Sequence, residues 1–388
     1  MNYQLIAPCH FGLEACTKKE VAALGYEVSE VTDGKVTFTG DELAVARANI
    51  FMRTTERILL KVGDFTAATW DELFEHTKAL PWEEYLPWNA NVYVAKANSV
   101  KSALFSPRDF QTIIQKAVVE RMKAAYRKTE RLPMNGADYL LRVTAMKDRI
   151  TIAIDTSGES LHKRGYRKLT AKAPITETLA AALLMLTPWK PDRILLDPFC
   201  GSGTFCIEAA MMAAKIAPGM KRDFASTAWD NLIPKKYWYQ AYDEAMDLSE
   251  AVDLSALRQD VDIQGFDIDE DVLYAARNNA ASAGVRDLIH FQKRDVREMS
   301  HPNRYGIILT NPPYGERIED KENLPALYGA LGERYAMLRD WSLYTITAYE
   351  DAEKYIGRKA DKNRKIYNGM MKTYFLSYLG AKPERKNG

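Results

Sequence analysis

"RILLDPFCGSGTFCIEAAMMAAK", residues 193 to 215, runs from a short apolar segment through a glycine-rich turn into a long apolar stretch dominated by alanine. "RILLDPFC" reads as a buried strand and "GTFCIEAAMMAAK" as the helix that follows it. Glycines in such a turn let backbone N–H groups approach a ligand, and the helix N-terminus behind them favours a carboxylate or phosphate. The turn lacks the third glycine of the dinucleotide spacing, which argues against nicotinamide or flavin. Taken alone, the same residues also read as a tight connection with no ligand.

The alternation continues outward from this stretch. "IQGFDI" (263–268) is a second strand, and "DEDVLYAARNNAASAG" is a helix with an acidic start and a glycine stop. "LIHFQKRDV" and "YGIILTNPP" supply a third and a fourth strand; a helix near 324–339 and a fifth strand, "WSLYTITAY", come next. "RKIYNG" and "MKTYFLSYLG" close the chain as a hairpin. Strands and helices in this order make a doubly wound α/β domain with a seven-stranded, mainly parallel sheet. Residues 215–262, rich in Trp, Tyr and charge, read as a helical insertion.

Residues 1–160 have an α+β texture: strand-like runs such as "KVTFTG", "RILLKVGDF", "NVYVAKA" and "YLLRVTAMKDRITIAIDT" between helices at 13–24, 41–49 and 108–127. The expected division is 1–65 and 66–160 as two subdomains, followed by 161–388. The 388 residues are 47% hydrophobic and 27% charged, as in folded globular chains. No segment is long and apolar enough to span a membrane, and the start lacks a targeting pattern, so a cytoplasmic protein is expected. Four scattered cysteines and five scattered histidines make neither a disulfide framework nor a metal spacing, so no metal is expected. Net charge is only +1, yet residues 96–131 carry nine Lys/Arg against three acids, 161–172 five against none and 357–388 nine against two. Basic segments on a near-neutral chain suit a polyanion such as nucleic acid.

Acids recur at the strand ends. Asp267 closes the second strand, where a ribose diol would lie beyond the carboxyl edge of the sheet. Asp269 is placed to cap the next helix. Asp295 closes the third strand, within reach of an adenine amine. Each alone reads as a cap or turn residue; in register with the glycine turn they outline a nucleoside site. About 110 residues beyond that turn, "TNPPYGER" (310–317) stops the fourth strand with two prolines and presents an amide and an aromatic ring.

"DPFCGSGT" followed by "NPPY" resembles the Rossmann-fold S-adenosylmethionine-dependent methyltransferases of exocyclic amines. "LHKRGYRKLTAKAPITETLAAALL", the 215–262 insertion and "NPPYGER" resemble a narrower group, the THUMP-domain RNA guanine-N2 methyltransferases. The resemblance implies a ferredoxin-like subdomain over 1–65, a THUMP RNA-binding domain over 66–160 and a class I methyltransferase domain over 161–388. It implies S-adenosylmethionine held by Asp197, Phe199, Gly201, Gly203 and Thr204, with Thr176 near the methionine carboxylate, Asp267 at the ribose and Asp295 at the adenine. Asn311, Pro312, Pro313 and Tyr314 would be the catalytic set. Structured RNA is the implied substrate, with 23S ribosomal RNA preferred and transfer RNA open. Adenine-N6 methylation of DNA uses the same tetrapeptide, and a non-catalytic RNA-binding protein is the reading from another class.

The tetrapeptide suits this chemistry. An exocyclic purine amine is a poor nucleophile because its lone pair is delocalised into the ring. The Asn311 side-chain oxygen and the Pro312 carbonyl can accept its two N–H bonds and turn the lone pair toward a methyl donor. Two prolines fix φ and offer no donors. Tyr314 offers a face for an extruded base. An activated donor and an acidic ammonium product need no strong base.

Overall fold

The computed structural model describes residues 2–168, 175–315, 322–369 and 371–382. The chain forms two compact units, one drawn from Met1–Pro8, Lys18–Leu161 and Arg222–Glu244, the other from Cys9–Thr17, His162–Lys221 and Ala245–Gly388.

The first unit is built on a seven-stranded sheet of β1 (Tyr3–Pro8), β2 (Glu27–Thr32), β3 (Lys35–Gly40), β4 (Leu59–Thr66), β5 (Asn91–Val100), β6 (Asp138–Met146) and β7 (Arg149–Asp155). The spatial order is β2-β3-β1-β4-β7-β6-β5. β5 and β6 are parallel and the other pairs antiparallel. β4 pairs with β1 on one side and β7 on the other, so hydrogen bonding is continuous across residue 65. Helix starts follow their capping residues: Asp41 accepts from the Ala44 amide, Thr69 and Glu72 form a reciprocal capping box, and Ser106 precedes a proline at the first turn of Pro107–Ala125.

The Trp- and Tyr-rich part of the expected insertion, residues 222–244, belongs to this first unit although it lies between strands of the second sheet in sequence. Trp229 is fully buried and stacks on Tyr139 with ring centres 4.6 Å apart, and its indole N–H donates to the Asp138 carbonyl at 2.9 Å. Phe224 stacks on Trp238, and Arg47 grips Glu244 through two nitrogens. Its aromatic content is therefore a packing surface.

The second unit holds β8 (Leu195–Asp197), β9 (Ile263–Asp267), β10 (Ile289–Lys293), β11 (Ile307–Thr310), β12 (Ser342–Thr347), β13 (Lys362–Asn368) and β14 (Met371–Tyr378) in the order β10-β9-β8-β11-β12-β14-β13. β8 to β12 run parallel and β14 runs against both its neighbours, as the terminal hairpin required. One face packs on Leu179, Leu183, Phe205, Ile207 and Leu273, together with Leu13 and Cys16 from the N-terminal segment. The other packs on Tyr328, Leu331, Tyr335 and Ile356. Both faces being covered, the central strands are almost wholly buried. Among the described residues, no helix is long and apolar enough to cross a membrane.

Candidate active site

The site lies beyond the carboxyl ends of β8, β9 and β11. Asp197 ends β8 and is buried. Its Oδ1 accepts from the Thr310 hydroxyl at 2.6 Å and from the Phe199 amide at 3.2 Å, so one carboxylate ties the glycine turn to the last residue of β11. Burial pushes its carboxyl up to about 7, against the pull of those two hydrogen bonds and with a further push from the charge of Asp267.

The turn that follows runs through left-handed backbone at Gly201 (φ 52°) and Gly203 (φ 85°). At Gly203 a side chain would also collide, since a Cβ would lie 2.9 Å from Cζ of Phe291. Gly203 then stands at the N-terminus of the helix Thr204–Ala213 with no side-chain cap, leaving first-turn amides for a ligand. Asp267 completes this edge: its Oδ2 accepts from the Gly201 amide at 3.0 Å and its Oδ1 from the Asp269 amide at 3.1 Å. Burial raises its carboxyl above the ordinary value. Asp269 caps the helix Glu270–Ala283 through the Asp271 amide, as its position suggested.

Asp295 sits differently from the other two acids. β10 stops at Lys293, and Asp295 caps the short turn Val296–Glu298, accepting from the Arg297 amide at 2.8 Å and pairing with its guanidinium at 3.0 Å. Thr176 is half-buried just before the helix Glu177–Leu186. That helix start is held to the glycine turn by Arg167, a contact the sequence did not reveal. Arg167 pairs with Glu177 at 3.0 Å and donates to the Ile175 carbonyl at 3.0 Å and to the Thr204 hydroxyl at 2.8 Å. Arg164 is buried against Glu208. Two of the five cations counted in 161–172 thus sit inside the fold or at this junction, not on an open basic face. Residues 169–174, which include the end of that run, and Glu316 and Arg317 of "NPPYGER" lie outside the described residues.

Beyond β11, Asn311 is half-buried, Pro312 buried and Pro313 exposed. The Asn311 Oδ1 is shielded from solvent and has no hydrogen-bond partner among the described residues. The next turn is anchored from below. The Tyr328 hydroxyl reaches the Pro313 carbonyl at 3.2 Å and the Thr347 hydroxyl at 2.6 Å, and the Tyr349 amide donates to Thr347 at 3.0 Å. A carbonyl only accepts and an amide N–H only donates, so the proton order is fixed: Tyr349 to Thr347, Thr347 to Tyr328, Tyr328 to Pro313. The Pro313 carbonyl is thus engaged by the protein, whereas the Asn311 side-chain oxygen has no partner among the described residues. Tyr314 is half-buried beside them.

Residues 164–376 match the RMKL-like methyltransferase domain. The chain belongs to this methyltransferase family. Residues 4–59 match the RlmL ferredoxin-like domain and residues 67–155 the THUMP domain. The chain is 44% identical to "Putative RNA methyltransferase YpsC" of Bacillus subtilis (strain 168), covering 99% of this chain and 98% of that protein. It is 32% identical to "Ribosomal RNA large subunit methyltransferase K/L" of Cellvibrio japonicus (strain Ueda107) over 97% of this chain but only 51% of that protein, so it spans about half of the K/L relative. The crystal structure of "SMU.472, a putative methyltransferase complexed with SAH" superposes with a TM-score of 0.91 at 38% identity, covering 98% of this chain and 99% of the other. The family assignment accords with the strand order and with the glycine turn and NPPY loop at adjacent strand ends.

Proposed function

We propose that this RMKL-like methyltransferase transfers the methyl group of S-adenosylmethionine to the exocyclic N2 amine of a guanosine in structured RNA, with large-subunit ribosomal RNA as its target. The observation that carries the reading is the Asn311 side-chain oxygen. A buried acceptor left unpaired costs about 1 to 3 kcal/mol, and this one stands at the NPPY loop, at the end of a strand adjacent to the glycine turn. An incoming amine N–H is the partner this oxygen lacks.

The donor is supported by the SMU.472 relative, which holds the spent form SAH, and by the residues present here. Gly201 leaves open space for close backbone approach, and Asp267 keeps lone pairs free for a ribose diol after accepting two amides. Asp197 is a buried carboxyl with no compensating cation among the described residues, which suits a ligand bearing an ammonium and a sulfonium. Thr176, Phe199 and Thr204 complete the proposed cradle, and Asp295 would meet the adenine edge with the lone pairs that Arg297 leaves.

The donor supplies an activated methyl group; the chain's part is orientation. Asn311 and Pro312 accept the two N–H bonds of the amine and hold its lone pair on one line of approach. Tyr328 and Thr347 keep the loop from rotating. Tyr314 offers the surface on which the extruded base rests. As the amine gains positive charge in the transition state, its bonds to these two acceptors strengthen, which is where the rate gain arises. The ferredoxin-like and THUMP region of the first unit supports RNA, since compact α+β modules suit recognition by shape. It keeps Lys96, Lys101, Arg108, Lys116, Arg127, Lys128 and Arg131 exposed.

The test is to delete the gene, digest ribosomal and transfer RNA separately to nucleosides and quantify N2-methylguanosine. Loss from the ribosomal pool supports the proposal. Loss from the transfer pool moves the substrate, and loss of N6-methyladenine from DNA with both RNA pools intact overturns it.

A further inference from the structure

The terminal hairpin of the methyltransferase sheet carries a pattern that the site described above does not use. Thr310, the last residue of β11, is level with Thr345 of β12, and Thr347, the last residue of β12, is level with Tyr374 of β14. β14 begins three residues beyond that level, at Met371, so the hairpin projects about 10 Å past the strand ends on the side where the NPPY loop lies. Lys365 faces Tyr374 at the level of Thr347, and Tyr367 faces Lys372 on the projecting part. Side chains alternate along strands, so these four share one face.

The face is two tyrosine rings interleaved with two ammonium groups. Lys365 lies over the Tyr367 ring at 5.1 Å and Lys372 over the Tyr374 ring at 4.9 Å. Both lysines are exposed and both rings half-exposed. Phe11, 48% exposed, meets Tyr367 edge-on at 6.5 Å. Neither lysine is ion-paired among the described residues; Glu350 is the acid whose charge reaches Lys372. Tyr374 belongs to the packed cluster that includes Tyr328 and Tyr349, the residues that anchor the Pro313 carbonyl. The platform is thus joined through packed side chains to the loop that would hold the target amine.

We propose that Lys365, Tyr367, Lys372 and Tyr374 form a docking face for the single-stranded RNA flanking the extruded nucleotide, with the rings stacking on bases and the ammonium groups meeting phosphates. This rests on the RNA reading given above. Magnitudes favour exchange of partners on this face. An exposed lysine over a ring is worth about two- to fivefold in an equilibrium constant. A stacked base is worth about five- to a hundredfold, and a phosphate gives the lysine a full charge instead of a quadrupole. RNA can therefore draw the lysines off the rings and take their place. A second copy of this chain would have to bring acids to a face of this chemistry, whereas RNA brings both phosphates and π-faces.

The test uses the full chain, tritiated S-adenosylmethionine, and ribosomal and transfer RNA from a strain lacking the gene. Tyr367→Leu is expected to raise KM for RNA at least fivefold with kcat within about twofold of wild type. Lys365→Gln and Lys372→Gln are each expected to lower the slope of log affinity against log salt by about 0.7, one single-strand phosphate contact. Affinity for SAH and the melting temperature should stay at wild-type values, and Lys190→Gln, exposed ahead of β8, should match wild type in every measurement. If all three hairpin variants keep wild-type KM and salt slope while the wild-type protein methylates RNA, the docking face is refuted and the RNA reading stands. A wild-type protein inert on both RNA pools overturns the two together.

Discussion

Cutting Asn311 back to alanine should move activity and stability in different directions. The side-chain oxygen is buried with no partner among the described residues, a state that costs the folded protein about 1 to 3 kcal/mol. Asn311→Ala removes that cost and gives up the packing of a half-buried side chain, worth about 1 kcal/mol. The variant should therefore be as stable as wild type or up to about 2 kcal/mol more so. Turnover should fall about 10- to 100-fold, since a hydrogen bond to a group gaining charge is worth about 1.5 to 3 kcal/mol. Affinity for SAH should not change, because the proposed donor cradle lies at the ends of β8 and β9. Single-turnover methyl transfer at saturating donor reads the chemistry, urea unfolding reads stability and calorimetry reads the donor. Turnover within threefold of wild type would refute the amine-holding role. A loss of more than about 2 kcal/mol of stability would show instead that Asn311 is structural and that its oxygen finds a partner within the protein.

Two further outcomes are expected. The Asp197 carboxyl is raised to about 7 by burial, so the folded protein holds a proton that the unfolded chain has released above pH 4; this stabilisation is complete below about pH 4 and lost as pH rises through 7, and Asp197→Asn should flatten that part of a urea-midpoint profile from pH 5 to 8, an unchanged slope refuting it. Tyr328→Phe breaks the hydrogen-bond chain to Pro313 and should lower kcat more than it raises KM for RNA, with a stability loss of about 1 to 3 kcal/mol; equal kcat would show that the loop does not need the anchor.

The parallel strands were legible because burial on both faces leaves them continuous apolar runs, and the glycine turn and prolines punctuate them. In the first sheet the sequence reading passes over β1, "YQLIAP", although it is largely buried, and over β2. β2, "EVSEVT", is an edge strand exposed along nearly its whole length, so nothing alternates. "YLLRVTAMKDRITIAIDT" folds back on itself at Lys147 and Asp148, both at positive φ, a turn usually marked by Asn-Gly or Asp-Gly. At the site, Asn311, Asp267 and the glycines could be named because turn chemistry dictates them. Their supports could not. Arg164 and Arg167 look like surface cations until Glu208, far along the chain, and Glu177, on the next helix, are folded against them. Tyr328 reads as core and Thr347 as strand until the Tyr328 hydroxyl meets the loop and the Thr347 hydroxyl meets Tyr328.

The unit composition also decides how RNA binding can be tested. Removing residues 1–160 looks like a clean way to separate an RNA-binding region from a catalytic one. Yet residues 222–244 pack with the first unit, and the truncated chain would keep them without their partners. Trp229 would lose the Tyr139 ring and the Asp138 carbonyl, and Arg222 the Glu159 and Ser160 carbonyls. A fully buried indole brought to the surface costs about 3 kcal/mol or more and leaves a sticky patch. The 161–388 fragment should therefore aggregate, with a light-scattering signal that falls when residues 222–244 are replaced by a short Gly/Ser linker. A monodisperse 161–388 fragment with bound SAH would show that this aromatic cluster is dispensable. Aggregation, in turn, would mean that lost RNA binding in the simple truncation reports misfolding, and that point variants on the hairpin and on the exposed lysines are the valid probes.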